Sequence, residues 1–573
     1  MTKKTLRNIP VFAPLVLLLG LFLTPQVETF ISNAVGHPEI AALRYFSIPL
    51  AGFSLGAVVF LLVLKNEPRF PAYDILLECG QDRIVYVVCI VFAAYSSAFA
   101  ILRYSSLNTT VTDLGSYDQK IWAISASPNL WQSVATSAIY HFQPILIFYG
   151  FIYNIFPSVD LLQVLQGVLV ASASIPLYLI ARDVLPCRLW ALCIVGVYFL
   201  TPAVQFNSMS EFHPDHIYIT LLMWAYYYAE RDRYTPVLLL ILLAVFVKEP
   251  LILGVAFFGL YLILARGRVF LGATLFVGSI LLFATFIFLV QPVLDPYLSK
   301  VGKTTLEADF PHLTLKGGAF YGGIHSLKKV LQDSTIKQLT FPLFLLAPML
   351  FLPLLNWRRF LPALPLLAIP FLSLNPLHSS IDSHYTAGIV PPLFVGLVFA
   401  LKSIANKYGD ITVSALICWI VVMTLTFNIA HGPSVVSLNF WHKDWSALWH
   451  KSNYKEGPHE RNLKDIIAMI PSNPKVKVCS QNNVNHSRLA HRWKYWAFAS
   501  TSHSRNPNKT LEADYILLDL TKPPHIDDAP SPQLYSEELE LVKSNGLFTL
   551  RAEKDGILLY GKKRTNDHTN KKR

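Results

Sequence analysis

The sequence predicts an all-α polytopic membrane domain of about 13 transmembrane helices, followed by a small α/β domain outside the membrane. Only 15% of the 573 residues are charged and 53% are hydrophobic, whereas soluble globular chains carry about 25% charged residues. Apolar runs close to the roughly 20 residues that a helix needs to cross a bilayer recur as far as residue 430. The remaining region, 431–573, changes to a polar composition.

The apolar runs define the individual spans. The first run, 10–31, follows Lys3, Lys4 and Arg7, and we expect it to be retained as a span, although a cleaved signal peptide has the same pattern. The run 144–156 has only about 13 residues, so we interpret it as a re-entrant or interfacial helix. The other expected spans are 46–64, 84–102, 160–181, 187–206, 215–230, 236–247, 250–265, 269–290, 341–356, 360–375, 386–401 and 411–430.

Basic residues predict the orientation of these spans. With the N-terminus inside, every inside loop has at least two basic residues and the short outside loops have almost none. The membrane domain, 1–430, then has two long outer loops, 103–159 and 291–340, and much of the net charge of +12 reflects topology rather than nucleic-acid binding. The inside loops contain Lys65, Arg69, Arg83, Arg182, Arg188, Arg231, Arg233, Arg266, Arg268, Arg358, Arg359, Lys402 and Lys407.

The polar region 431–573 alternates helix-like and strand-like stretches, which predicts a small α/β domain. After 13 spans this domain lies outside. None of the six cysteines forms a C-x-x-C pair, so we expect neither a metal cluster nor a disulfide framework. The expected helices are 461–470 and 533–544, and the expected strands are Val476–Cys479, Tyr515–Leu520, Phe548–Arg551 and Ile557–Tyr560.

The first polar cluster lies in the outer loop 103–159. Asp113 and Asp118 are five residues apart, and Gly115 permits a tight turn between them. A carboxylate here could accept a proton from an incoming hydroxyl or hold a cation. The alternative is a solvated turn in which Asp113 is the N-cap of a helix.

The second cluster has four ionisable residues within six positions, Glu211, His213, Asp215 and His216. Two histidines and a carboxylate could bind a divalent ion. The spacing matches no zinc signature, however, and ligands this close in sequence rarely complete a structural site. For Asp215 the alternative role is the N-cap of the next helix.

The third cluster is Lys248 and Glu249, which interrupt the apolar stretch 235–265. The preceding arm has about 12 residues and rises about 18 Å, which is too short to cross a bilayer of about 30 Å. The pair should therefore be recessed from the outer face. Ionisable residues at such depth are costly and usually functional, although a structural ion pair at a helix break is the alternative.

A fourth cluster, with His378, Asp382 and His384, also falls outside. Alone it is typical of a polar loop, and it could bind a phosphate or sugar hydroxyls. Because all four clusters lie on one face of the membrane, we expect one site assembled from several loops.

These residues, in this order, resemble a bacterial multi-pass membrane family catalogued as domain of unknown function 2079. The resemblance covers most of the chain, and the set is specific although each piece alone is not. The matching residues are Asp113, Asp118, Gln119, Trp122, His141, Pro144, Gln166, Glu211, His213, Asp215, Lys248, Glu249, His384 and Tyr385, with the run from Ala513 to Asp519.

That family is in turn similar to the C-type (GT-C) glycosyltransferases, which take sugar from a polyprenyl-phosphate carrier. The resemblance implies a GT-C-like fold in a bacterial inner membrane, with the N-terminus cytoplasmic and the C-terminal domain periplasmic. It implies Asp113 as catalytic base with Asp118 supporting it, and Lys248, oriented by Glu249, facing the carrier phosphate. The residues expected to bind substrate are Gln119, Trp122, His141, Glu211, His213, Asp215, Lys248, Glu249, His384 and Tyr385.

The resemblance also leaves several points open. C-type enzymes carry an acidic pair after the first span, whereas here the acidic loop follows the third, so Asp118 is the alternative to Asp113 as the catalytic residue. Mg²⁺ or Mn²⁺ is an open expectation, with Asp113, Glu211 and His213 as the candidate ligands. The implied partners are membrane lipids, the sugar-carrying lipid and a glycan, lipid or protein acceptor. A transporter or lipid flippase and a non-catalytic envelope assembly protein are the alternatives.

Overall fold

The computed structural model describes residues 47–66, 81–138, 141–290, 336–373, 376–446, 448–499, 507–522 and 532–563, together with Val293. The expected span 10–31, most of the loop 291–340 and the basic tail after residue 563 lie outside the described residues. We number the helices and strands in chain order.

The membrane part is built of helices that follow the apolar runs. They are α1 (Ile48–Asn66), α2 (Gln81–Ser105), α3 (Ser116–Ser125), α4 (Leu130–Ser137), α5 (Leu146–Tyr153), α6 (Val159–Ser172), α7 (Ser174–Val184), α8 (Arg188–Leu200), α9 (Pro202–Met209), α10 (Asp215–Glu230), α11 (Tyr234–Ala244), α12 (Glu249–Arg266), α13 (Val269–Thr285), α14 (Ile336–Leu346), α15 (Trp357–Phe360), α16 (Leu364–Leu372), α17 (Val390–Tyr408) and α18 (Asp410–His431).

Seven of the described helices are long and apolar enough to cross a membrane, or up to nine if each of two bent pairs is one span. The expected count of about 13 is therefore not confirmed. Two expected spans, α10 and α11, have only 16 and 11 residues. Two others, 341–356 and 360–375, lie in a pair bent by 87°. Pro348 and Pro353 flank that bend, and proline removes a helical hydrogen bond.

The short apolar run 144–156 forms α5, which has eight residues. At about 1.5 Å per residue it is far too short to span, which agrees with the prediction of a re-entrant or interfacial helix. Leu146, Tyr149 and Tyr153 are buried, while Phe151 on the other side is 66% exposed. This exposed side is apolar, as expected of a helix in contact with lipid.

One end of the helices carries basic residues of the predicted inside loops, among them Arg182, Arg231, Arg266 and Arg359, and we call it the basic end. Glu230, the last residue of α10, accepts hydrogen bonds from Arg359 Nε at 2.7 Å and Arg266 Nη1 at 3.2 Å. Near the start of α2, Asp82 pairs with Arg182 at 3.1 Å. Loops distant in sequence therefore meet at one end, which agrees with the predicted alternation of loops.

The C-terminal domain contains the helices α19 (Leu438–Trp441), α20 (Pro458–Ala468), α21 (Ser487–Ala490) and α22 (Pro532–Ser544), and the strands β1 (Val478–Ser480), β2 (Tyr495–Ala497), β3 (Tyr515–Asp519), β4 (Phe548–Lys554) and β5 (Ile557–Lys562). The strands form one sheet in the order β2-β1-β3-β5-β4, parallel from β2 to β3 and antiparallel from β3 to β4. All four predicted strands are confirmed. Sequence reasoning missed β2, because three residues are too few to show an alternating pattern.

This domain contacts the end of the helices opposite the basic end, which we call the sheet end. Helix α2 joins the two ends, since Asp82 lies at the basic end and Tyr104 accepts a hydrogen bond from the backbone N–H of Ser487 at 2.9 Å. Helices α10 and α12 run the other way: Asp215 and Glu249 begin them at the sheet end, and Glu230 and Arg266 lie at the basic end.

Candidate functional site

The four polar clusters meet at the sheet end. Asp113 Oδ1 lies 3.5 Å from Nε2 of His213. The His213 ring stacks on the His384 ring, with centroids 3.6 Å apart and an angle of 16° between the planes. Lys248 Nζ lies 3.2 Å from Nε2 of His384. These contacts confirm the prediction that residues from four separate segments assemble in one place.

Lys248 is the buried cation of the cluster. The break between α11 and α12 leaves it extended, directly before the helix that starts at Glu249 with Pro250 in its first turn. Its Nζ lies 3.4 Å from Asp215 Oδ1 and 5.5 Å from the centroid of the Tyr385 ring. An ammonium group has three N–H donors. Among the described residues, Lys248 thus has an ion-pair partner in Asp215, a hydrogen-bonding partner in His384 and an aromatic ring beside its ammonium group.

Glu249 has different partners from its neighbour. Its Oε1 lies 2.6 Å from Nδ1 of His141, and its Oε2 accepts a hydrogen bond from the backbone N–H of Phe142 at 3.0 Å. A Lys248–Glu249 ion pair was one expectation, but adjacent residues at a helix start do not face each other. Lys248 pairs with Asp215, and Glu249 anchors the segment that begins at His141.

Asp113 lies in a short π-helix, Val111–Gly115, that leads directly into α3. Its carboxylate is 52% exposed, so an incoming group can reach it. The alternative of Asp113 as an N-cap is wrong, because Thr110 is the cap and its hydroxyl accepts the Asp113 N–H at 3.3 Å. π-Helices are rare and occur frequently at functional sites.

The Glu211 side chain binds the loop that carries Asp113 through hydrogen bonds. Its carboxylate accepts hydrogen bonds from Thr110 N at 3.0 Å, from Thr110 Oγ1 at 2.8 Å and from Leu114 N at 3.1 Å. Arg103 lies 3.7 Å away on the other side. The Glu211 oxygens are thus occupied by the protein itself, and this geometry favours a structural role over contact with substrate.

His213 is held in one orientation by its neighbours. Its backbone N–H donates to Gln166 Oε1 at 3.2 Å, and its Nδ1 donates to the carbonyl oxygen of Glu211 at 3.0 Å. Nε2 is therefore the nitrogen that faces Asp113. The neighbouring His216 has a different environment, since its Nε2 lies 3.1 Å from the Tyr149 hydroxyl inside the helix bundle.

Three predicted site residues contact the C-terminal domain. Asp118 is fully buried, and its Oδ1 accepts from Tyr153 Oη at 2.8 Å and lies 2.9 Å from His491 Nε2. Gln119 donates to the carbonyl oxygen of Arg492 at 3.0 Å. Trp122 stacks on the His491 ring with centroids 6.0 Å apart. In the described residues these three side chains join the membrane domain to the C-terminal domain.

In the fourth cluster, some side chains have local partners and others contact Lys248. The His378 ring packs edge-on against Tyr385 at 4.5 Å, and its Nδ1 lies 2.7 Å from Ser373 Oγ. Asp382 bonds locally with Ser380. His384 and Tyr385 are therefore the members that reach Lys248.

No group of three or more His, Cys, Asp or Glu side chains in the described part of the chain is arranged to hold a metal ion. The candidate ligands Asp113, Glu211 and His213 do not converge, because Glu211 turns its oxygens toward Thr110 and Leu114. Sequence reasoning also missed Asn482 and His491. They lie in polar stretches with no motif, more than 350 residues after the loop that they contact.

A family model described as "Predicted membrane protein (DUF2079)" matches residues 103–559. A comparison with curated proteins found no match. Among solved structures, ArnT from Cupriavidus metallidurans bound to undecaprenyl phosphate is 11% identical, with a TM-score of 0.44 over 84% of this chain and 98% of that chain. The same protein in the apo state is 13% identical, with a TM-score of 0.45 over 83% and 97%. The family model alone covers most of the chain and all four polar clusters, and the chain belongs to the DUF2079 family of predicted membrane proteins.

Proposed function

We propose that this protein is a membrane glycosyltransferase, which transfers a sugar from a polyprenyl-phosphate carrier to an acceptor hydroxyl at the outer face of a bacterial inner membrane. The observation that carries the proposal is the connected series Asp113, His213, His384 and Lys248. It joins an exposed carboxylate to a buried cation at one end of the helices. The resemblance to C-type glycosyltransferases supplies the reaction class.

In the proposed reaction, Asp113 accepts the proton of the acceptor hydroxyl as the hydroxyl oxygen attacks the anomeric carbon of the sugar. The new glycosidic C–O bond forms while the bond between the anomeric carbon and the phosphate oxygen breaks. The carrier phosphate leaves with that electron pair. A positioned base contributes typically a factor of about 10² to 10⁴ to the rate.

Lys248 acts on the leaving group in this proposal. Negative charge builds up on the carrier phosphate as the bond breaks, and a fixed cation in a site shielded from water stabilises such charge strongly. The Lys248 side chain is only 5% exposed, and its contacts with Asp215 and His384 fix the position of Nζ. In this position the Lys248 ammonium group would donate an N–H to a phosphate oxygen.

The stacked rings of His213 and His384, together with Tyr385, would line the position of the sugar between the base and the phosphate. No step is assigned to Mg²⁺ or Mn²⁺, because Glu211 already accepts hydrogen bonds from Thr110 and Leu114 and does not converge with Asp113 and His213. In this proposal Glu211 supports the loop that carries the base.

The test is made with the purified protein in lipid vesicles. The vesicles contain polyprenyl-phosphate sugars of several kinds and an extract of envelope acceptors. We expect consumption of one donor and release of the carrier phosphate. A lipid flippase would move a donor across the bilayer without consuming it, and that result would replace the enzyme proposal.

A further inference from the structure

The loop that carries Asp113 begins with backbone N–H groups that its own helix cannot satisfy. The first turn of any helix leaves such donors without an internal acceptor, and when buried they need partners from elsewhere. Here the π-helix Val111–Gly115 runs into α3, and Thr110, Val111 and Leu114 are buried. The acceptors for this turn therefore determine where Asp113 lies.

Besides the Thr110 hydroxyl, which accepts the Asp113 N–H, two residues from different parts of the chain supply these acceptors. Glu211, from the membrane domain, accepts the N–H groups of Thr110 and Leu114. Asn482, from the C-terminal domain, accepts the N–H groups of Val111 and Thr112. Its backbone oxygen accepts Val111 N at 2.8 Å, and its side-chain Oδ1 accepts Thr112 N at 3.0 Å. The residue before Asp113 is thus bonded to the C-terminal domain.

Asn482 is itself firmly held. It is 7% exposed and lies two residues after β1, whose strand pairs on both sides. Next to it, Gln481 donates from Nε2 to the carbonyl oxygen of Lys522 at 2.9 Å and accepts the N–H of Asp519 at 3.2 Å. The sheet therefore provides a rigid support for the Asn482 amide.

Further contacts join the C-terminal domain to the chain on either side of the Asp113 loop. The hydroxyls of Tyr104 and Ser487 lie 2.8 Å apart, and Asp118 lies 2.9 Å from His491. The close approach of Gly115 to Asn485 adds a steric contact, because a Cβ atom on Gly115 would lie 2.6 Å from Asn485 Oδ1. These contacts flank Asp113 on both sides along the chain.

We infer that Asn482 is a positioning residue through which the C-terminal domain fixes the Asp113 carboxylate against His213. The catalytic role of Asn482 rests on the proposed function. Its role in holding the Asp113 loop by hydrogen bonds does not. A displacement of about 1 Å in a reacting group can cost about 10²-fold in rate. The C-terminal domain is therefore part of the site, because it holds the loop that carries Asp113.

The test uses the full-length protein and the variants Asn482→Ala and Asn482→Asp. Alanine removes the acceptor for Thr112 N, and aspartate keeps it. The matched control is Asn545→Ala, which removes a similar bond to Leu547 N at 2.8 Å elsewhere in the same domain. Hydrogen exchange of the amides from 111 to 115 is measured first, because it needs no enzyme activity.

We expect exchange in this segment to be at least about fivefold faster in Asn482→Ala, as the loss of one net hydrogen bond implies. Asn482→Asp and Asn545→Ala should exchange there at the unmodified rate. Unchanged exchange in Asn482→Ala would overturn the inference. If that variant does not fold, Asn482→Ser replaces it, since the shorter hydroxyl does not reach the Thr112 N–H.

Measurements of kcat and KM then distinguish a loss of Asp113 positioning from a general loss of folding stability. We expect kcat to fall about tenfold or more in Asn482→Ala with KM for the carrier lipid unchanged, and to recover in Asn482→Asp. Adding Asn482→Ala to Asp113→Asn should cause no further loss, because both act through the same carboxylate. Full additivity, or an unchanged kcat, would overturn the positioning role. If the unmodified protein transfers no sugar, the proposed function fails, and the exchange result still decides whether Asn482 fastens the loop.

Discussion

At the scale of single residues, the site depends on which partner each buried charge has. Lys248 and Glu249 are adjacent in sequence, yet Lys248 pairs with Asp215 on α10 and Glu249 pairs with His141 in the first long loop. Each charged side chain thus has its partner in another segment of the chain. Because an unpaired buried charge is costly, the two pairs also bring three segments of the chain together.

Lys248→Met should therefore have two effects. Removing the cation leaves Asp215 buried without its partner, which costs about 3–5 kcal/mol of stability, and it removes the group proposed to face the carrier phosphate. We expect a lower thermal unfolding temperature and weaker binding of polyprenyl phosphate to the purified protein. Lys407→Met is the control, since Lys407 lies over the Tyr408 ring near the basic end. Unchanged lipid binding in Lys248→Met would contradict the phosphate role.

Asp113→Asn should have a different effect from Lys248→Met. Asparagine keeps the size and polarity of the side chain and removes its basicity, so turnover should fall by a factor of about 10² to 10⁴. Because Asp113 is exposed, folding and lipid binding should be preserved. Asp382→Asn is the matched control, because it is the same substitution in another loop at the sheet end. In the contacts described above, the Asp382 carboxylate accepts a local hydrogen bond from Ser380. Equal turnover in Asp113→Asn and the unmodified protein would exclude Asp113 as the base.

At the scale of elements, the π-helix and the start of α3 are constrained by space as well as by hydrogen bonds. The sequence suggested that Gly115 permits a tight turn, but its backbone is right-handed helical, with φ −64° and ψ −38°. Any residue can adopt this conformation. The glycine is needed because the buried Asn485 approaches it so closely.

Gly115→Ala should push the C-terminal domain away from the Asp113 loop. Overpacking of this kind costs about 1–3 kcal/mol, so we expect a lower unfolding temperature and faster hydrogen exchange in both Val111–Gly115 and the segment around Asn485. Gly196→Ala in α8 is the control, since no described atom beyond its chain neighbours and its own helix backbone lies within 4 Å of the position of its added Cβ. An unchanged unfolding temperature in Gly115→Ala would mean that the Asp113 loop and the segment around Asn485 can move apart without loss of stability.

Within the C-terminal domain, His459 joins α20 to the sheet. Its Nε2 lies 2.9 Å from Asp519 Oδ2 at the end of β3, and its Nδ1 lies 2.7 Å from Asp555 Oδ2 in the turn between β4 and β5. Burial lowers the pKa of His459, but the hydrogen bonds to the two carboxylates outweigh it, so the pKa is raised above its ordinary 6.5. Protonated His459 therefore stabilises the folded domain.

The sign of this pH effect follows from the raised pKa. The stabilisation is fully present below the ordinary pKa of 6.5 and is lost as the pH rises through the raised value. We expect the protection of β3 and α20 amides, corrected for intrinsic exchange, to decrease over that interval. His459→Gln should remove the dependence, whereas His442→Gln, at an exposed position, should keep it. An unchanged pH profile in His459→Gln would contradict the assignment.

At the scale of the whole molecule, the two ends of the helices differ in chemistry. The basic end holds arginines paired through Glu230 and Asp82, and the sheet end holds the carboxylates, histidines and Lys248. The rule that basic loops stay in the cytoplasm favours the basic end as the inner one. The C-terminal domain would then be periplasmic.

A reporter that is active only in the periplasm tests this orientation when it is fused after Arg573. We expect activity there, and we expect a reporter in the loop at residues 231–233 to give a cytoplasmic signal, because Arg231 and Arg233 lie at the basic end. The second fusion is the control for expression and insertion. The reverse pair of signals would contradict the proposed topology.

Much of the fold follows from local patterns in the sequence. The length of each apolar run, the basic residues in each loop and the alternation in the C-terminal region predicted the helices, the two ends and four of the five strands. These signals are determined by residues close in sequence. The count of about 13 spans stays a prediction, because a run of suitable composition can also form a shortened or bent helix, as the described residues near 350 show, where prolines flank the bend.

The sequence by itself determined which residues could form the site, because polar residues are rare in an apolar chain and those of the four clusters fall on one face. Only the tertiary structure decided their partners. Asp118, Gln119 and Trp122 were predicted at the site, yet they contact His491 and Arg492, and Glu211 supports the Asp113 loop. Asn482 could not be predicted, since its contact with Thr112 joins residues 370 positions apart. The physical reason is that transfer into lipid depends on local composition, whereas the choice of hydrogen-bond and ion-pair partners depends on how distant segments pack.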